Sequence, residues 1–326
     1  MKSVKNIFIK IFSLGFLTIS IYLSGCNNDN VTENSSMTDD EYLSSIAVNT
    51  SFSSNSDDDD NLFSNETGDF DSQGAVSGTE TPIDSILRWG RRITGTNVST
   101  NITNFGDSIK NVEVTRNISG NFIIVGYING NLDSTVKPFT QEQRRIVIFK
   151  RVANRPNPRS NWRVFKHSAI DGQTRTPQVG KDNIVLNKIE IYKSGNLVLT
   201  LNGPDFTSNM FNARFFNGSE PPESSGGEQL KIKVYATSSQ QDTDIVSYHW
   251  PRNLSGHHRE NFTMTSQIQN GNNFDRTYEK TFEIYSQHNH GIHNGFISAD
   301  TRNSFYDNSA QIFSSTYMGF PYRVRH

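Results

Sequence analysis

Three of the eight histidines fall within six residues, His288-Asn289-His290-Gly291-Ile292-His293. Imidazole is a common ligand for zinc, copper and nickel. On a strand, His288 and His290 share one face, and Gly291 lets the chain bend to bring His293 toward them. Asp300, or one of the pair His257-His258, would supply a fourth ligand. This set predicts a transition-metal site and, with it, an extracytoplasmic metal-dependent hydrolase. The spacing matches no helix-borne zinc motif, and the same residues also read as a polar surface loop.

Other chemistries are excluded by residue type or spacing. There is no Gly-x-Ser-x-Gly elbow for a serine nucleophile and no glycine-rich lysine loop for nucleotide phosphates. A single cysteine, Cys26, forbids a disulfide framework and a cysteine-rich zinc site. The run Asp57-Asp58-Asp59-Asp60 lacks the spacing, central Gly and final Glu of a calcium-binding EF-hand loop. No residue is therefore assigned a catalytic role.

The N-terminus carries an address. Lys2, Lys5 and Lys10 give it positive charge, and Ile7 to Leu23 is nearly all apolar. That is the pattern of a secretory signal peptide, and the run is short for a membrane-spanning helix. Leu23-Ser24-Gly25-Cys26 resembles the lipobox of bacterial lipoproteins at all four positions. The resemblance implies cleavage after Gly25, a diacylglycerol on the Cys26 thiol and acylation of the new amino group. Asn27 and Asn28 follow where an Asp would mark inner-membrane retention. The resemblance thus implies a lipid anchor (palmitate or similar chains) and an outer-membrane or cell-surface location.

Residues 26–80 read as the lipidated Cys followed by a disordered tether. From 27 to 80 the chain holds nine Asp, four Glu and no Lys or Arg. Few apolar residues and high net charge cannot offset the entropy of ordering. Only Glu41 to Val48 shows weak helical character. The body, residues 81–326, is the opposite, with 28 Lys and Arg against 20 Asp and Glu. Its excess of cations favours anionic partners.

In the body the signals are β. Apolar and β-branched runs recur at Phe122 to Tyr127, Arg145 to Phe149, Trp162 to Lys166, Ile184 to Leu186 and Ile189 to Tyr192. They continue at Leu197 to Leu201, Leu230 to Tyr235, Ile245 to Tyr248, Phe282 to Tyr285 and Phe296 to Ser298. Turn signals at Ser119-Gly120, Asn129-Gly130, Asn202-Gly203, Asn217-Gly218, Asn270-Gly271 and Asn294-Gly295 separate many of them. The pattern predicts an all-β fold, an antiparallel sandwich or an irregular propeller-like body, with one short N-terminal helix. Thr81-Pro82, followed by Ile83, Ile86 and Leu87, places a helix from 81 to just before Gly95. The stretch 220–227 is a candidate internal boundary. Gly120 to Asp133 is faintly similar to the bacterial β-propeller repeats, and Ser119-Gly120-Asn121 recurs as Ser194-Gly195-Asn196 75 residues later.

Cations interleave with aromatics at Arg144-Arg145, Phe149-Lys150-Arg151, Trp162-Arg163 and Phe165-Lys166-His167. On a half-buried strand that alternation puts rings inward and cations outward. Nucleic acid is not expected as a partner of an exported, lipidated chain. The leading expectation is a non-catalytic binding module of the envelope or surface, with a glycan, a host molecule or an envelope protein as partner. The hydrolase and a purely structural envelope protein are the alternatives.

Overall fold

Local sequence decides the first element. In the computed structural model, which describes residues 37–48, 83–212, 222–251, 257–284 and 291–325, helix α1 (Asp39–Val48) lies within the acidic stretch. Thr38 and Glu41 form a capping box: the Glu41 amide donates to the Thr38 hydroxyl, and the Thr38 amide donates to the Glu41 carboxylate at 2.7 Å. Asp39, Asp40 and Glu41 in the first turn suit the helix dipole. Leu43 and Ala47, four residues apart, are buried against the body.

Three long strands follow, β1 (Ile83–Phe105), β2 (Ile109–Ile128) and β3 (Asn131–Arg151), paired antiparallel along their lengths. The helix expected from 81 to 94 is therefore a strand. Register shifts at Ile83/Ser85 and Ile86/Arg88 explain the misleading spacing. Bulges turn the strand's two-residue period into steps of three, so Ile83, Ile86 and Trp89 all face inward. Asn129 and Gly130, both at positive φ (51° and 76°), make the tight turn between β2 and β3.

The chain continues through β4 (Trp162–Ser168), β5 (Ile170–Thr176), α2 (Gly180–Asn183), β6 (Ile184–Lys193), β7 (Asn196–Asn202), β8 (Met210–Asn212) and β9 (Glu223–Ser225). Next come β10 (Gln229–Ser238), β11 (Ile245–Pro251), β12 (His257–Asn261), β13 (Thr263–Asn270) and β14 (Asn273–Glu283). The last elements are β15 (Gly291–Asp300), α3 (Arg302–Tyr306) and β16 (Ser315–Arg325). Of the stretch 220–227, residues 223–225 form β9, which runs parallel to β16. All described residues belong to one compact unit.

Two sheets result, as an all-β sequence predicts. The larger has strand order β1-β2-β3-β5-β16-β15-β11-β12, with β4, β8 and β9 branching from it. The smaller has order β13-β14-β10-β6-β7. Between them lies an apolar core that includes Ile189, Ile191, Ile232, Val234, Tyr248, Phe282, Ile297, Met318 and Phe320. The central strands are buried on both faces, hence the unbroken buried run along most of β16.

The larger sheet also curls on itself. Arg259 of β12 stacks on Trp89 of β1, 3.2 Å from the ring centroid, and donates to its carbonyl oxygen at 3.2 Å. The concave side holds two apolar layers. One, with Val114, Phe149 and Trp162, is covered by α1. The other, with Trp89, Phe122 and Phe313, is covered by α3 and the chain after it.

Two expected turns lie inside strands. Ser119-Gly120 sits in β2, where a Cβ on Gly120 would meet the Arg92 carbonyl oxygen at 2.7 Å and the Phe139 ring at 2.8 Å. Asn294-Gly295 sits in β15, where a Cβ on Gly295 would collide with the Tyr248 hydroxyl. Both glycines serve close packing rather than chain reversal. The two Ser-Gly-Asn copies also differ in structure. The first lies within β2, and the second makes the turn joining β6 to β7. Asn217-Gly218 lies outside the described residues.

Candidate functional site

Alternation fixes what the outer face of the smaller sheet displays. On β6, Ile189 and Ile191 point into the core, so Lys188, Glu190 and Tyr192 point out. On β10, Ile232 and Val234 point in, so Lys231, Lys233 and Tyr235 point out. Register then sets Tyr235 beside Lys188, Lys233 beside Glu190 and Lys231 beside Tyr192. From β14, Glu279 stands beside Lys233 and Thr277 beside Tyr235.

The polar groups converge on Glu190. Lys188 Nζ donates to its Oε1 at 2.8 Å, and the hydroxyls of Tyr192 and Tyr235 both donate to its Oε2 at 2.8 Å. Lys188 Nζ sits 4.1 Å from the Tyr235 ring centroid, a cation–π contact. Glu279 is held the same way, by Lys231 and by Lys233 at 2.9 Å. The Lys188 hydrogen bond, with help from the two hydroxyls, holds the Glu190 carboxyl down to about 2. Part burial, then the bond to Glu190, pushes the Tyr235 hydroxyl up to about 12. Two tyrosines are thus pinned, partly buried, on the outer face of the sheet, ringed by donors and acceptors.

A second polar network lies on the concave side of the larger sheet. Across the strands the register row runs Arg116, Gln143, Gly172, Tyr317, Ser298, Ser247 and Asn261. Along it, Ser298 Oγ donates to Asp300 at 3.0 Å and contacts His249 Nε2 at 2.9 Å. Arg91 from β1 ion-pairs with Asp300 at 3.0 Å and donates to Ser315 Oγ at 2.8 Å. Ser, His and Asp are therefore adjacent, but in the wrong order for a nucleophile. A triad needs the carboxylate on the imidazole and the imidazole on the hydroxyl. Here the hydroxyl donates its hydrogen bond to the carboxylate and lies between the other two. The network joins β1, β11, β15 and β16 and neutralises Asp300.

The residues that the sequence singled out are placed as follows. Cys26, His288 and His290 lie outside the described residues. His293 is on β15, its Cα paired with Tyr322. His257 and His258 are on β12, paired with Pro251 and Trp250. Asp300 is committed to Arg91 and Ser298. Among the described residues, no three His, Cys, Asp or Glu side chains converge as a metal site. Among them, too, no helix is long and apolar enough to cross a membrane.

No known motif marks the pinned tyrosines, although the sequence carries a signal for them. Ile189-Glu190-Ile191-Tyr192 and Lys231-Ile232-Lys233-Val234-Tyr235 each alternate apolar with polar or aromatic residues. What the sequence lacked was the register that sets these strands side by side. Comparison of the chain with family models, curated proteins and solved structures finds no match.

Proposed function

We propose that this chain is a lipid-anchored envelope protein, acylated at Cys26, whose body is a non-catalytic glycan-binding module. The outer face of the smaller sheet is its contact surface. One observation carries the binding reading: Tyr192 and Tyr235 are fixed on the outer sheet face by a shared bond to Glu190. A tyrosine ring offers an apolar face against which the C–H face of a sugar ring packs, at little cost in side-chain entropy. Lys188, Lys231, Lys233, Glu190 and Glu279 supply the donors and acceptors that sugar hydroxyls need. The lipobox-like Leu23-Ser24-Gly25-Cys26 supports the anchor.

Two experiments test the two halves. Metabolic labelling with a palmitate analogue should mark the wild-type protein and fail with Cys26→Ser; labelling that survives the substitution contradicts the anchor. The body probed on an array of immobilised oligosaccharides should bind a defined set of glycans. Tyr192→Ala with Tyr235→Ala should remove that binding without unfolding the body. An empty array contradicts the glycan reading, as does an unchanged one with the double variant.

A further inference from the structure

We infer that a second surface of the body, the basic end beside α1, rests on the anionic headgroups of the membrane that the lipid enters. From Gln143 to Ile170 the chain has eight cations and no carboxylate. Two are committed elsewhere: Arg144 pairs with Asp171 and Asp205, and Arg145 is buried, donating to the Ala47 carbonyl oxygen of α1 at 2.5 Å. The other six, Lys150, Arg151, Arg155, Arg159, Arg163 and Lys166, lie along the hairpin joining β3 to β4. Among the described residues, Arg155, Arg159, Arg163 and Lys166 have no carboxylate within ion-pair distance. Arg155, Arg159 and Arg163 are exposed. Val152 at the hairpin base is 53% exposed, and Phe165 lies between Lys150 and Lys166, 5.6 and 5.4 Å from their amines. Exposed cations with interleaved apolar groups fit a phosphate-rich lipid surface.

The fold brings this end close to the start of the described chain, at α1. Helix α1 packs against β1 and β2, where Lys110 pairs with Asp40, and touches the same hairpin at the turn Pro158–Ser160. The anchor reading puts the lipid at Cys26, 13 residues before Asp39. That length of chain spans at most about 45 Å. On that reading the lipid would lie within that reach of α1, and so of the basic hairpin that α1 touches, whereas an acidic tether free over its whole length would allow it much farther away. The orientation rests on the Cys26 reading; the affinity of the hairpin for anionic lipid does not.

The test uses the chain from Asn27 onward, which keeps every packed element and lacks the lipid. It should float with phosphatidylcholine vesicles containing phosphatidylglycerol, not with phosphatidylcholine alone, and salt should release it. Arg155→Glu with Arg159→Glu should weaken that binding at least about tenfold. These two side chains make no hydrogen bond or ion pair among the described residues, so the fold should survive, which circular dichroism checks. The Tyr192→Ala, Tyr235→Ala variant should bind vesicles as the wild type does. Absent binding to the anionic vesicles, or binding that the charge reversal leaves intact, overturns the inference. Vesicle binding without palmitate labelling would remove the anchor and the orientation but leave the lipid-binding surface.

Discussion

Two polar networks in this body use similar side chains in opposite settings. On the concave side of the larger sheet, Arg91, Asp300, Ser298 and His249 are joined between two apolar layers, and Asp300 is wholly buried. On the outer face of the smaller sheet, Lys188, Glu190, Tyr192, Tyr235, Lys233 and Glu279 are joined while only partly buried. A buried charge that loses its partner keeps the full desolvation penalty. One that is only partly buried regains some of its water and loses less. The inner network therefore belongs to stability, and the outer one is free to exchange its hydrogen bonds for those of a ligand.

The largest expected effect breaks the inner network. Asp300→Ala leaves the Arg91 guanidinium without its carboxylate at a side chain only 12% exposed. It should cost about 3–5 kcal/mol, read from the urea midpoint, and leave glycan binding by the folded protein unchanged.

Next in size is a pH effect on the buried side. His167 is buried and stacked on Phe211. Burial, then the Arg145 charge, pushes its imidazole from 6.5 down to about 3. The unfolded chain therefore binds the proton first. Stability from this group is fully present above about pH 6.5 and is lost as pH falls toward 3. About 3 kcal/mol should disappear by about pH 4. His167→Phe should flatten that dependence, as urea midpoints across the range will show.

The outer network should titrate differently. Glu190 has its folded value lowered from 4.5 to about 2 by Lys188 and the two tyrosines. What it adds to stability is present above about pH 4.5 and lost only as pH falls toward 2. Carbon-detected NMR of its carboxyl should follow that low midpoint, and Lys188→Met should raise it. A midpoint near 4.5 in the wild type would mean that the platform is not assembled in solution.

The smallest effect is Tyr235→Phe. It deletes one hydrogen bond at a partly buried surface site and should cost about 1 kcal/mol or less. A larger loss would show that the outer face is structural, as the inner one is.

Much of this fold was legible because it follows from period-two alternation. Phe122 to Tyr127, Leu230 to Tyr235 and Ile245 to Tyr248 read as strands and are strands. What misled was local spacing reshaped by tertiary contacts. Ile83 and Ile86 read as a helix because two bulges imitate its period. Gly120 and Gly295 read as turns because close packing and chain reversal ask for the same residue. Neither network could be read in advance. Glu190 and Tyr235 are 45 residues apart, and Arg91 and Asp300 are 209 apart. Only register and the curl of the sheet bring them together.

The most direct measurement is the oligosaccharide array run in parallel on the wild-type body, the Tyr192→Ala, Tyr235→Ala variant and the Asp300→Ala variant, each held below its unfolding midpoint. The wild type and the Asp300 variant should bind one shared set of glycans, which the tyrosine variant should lose. The same glycans retained by the tyrosine variant, or lost by the Asp300 variant while it is folded, would contradict the glycan reading.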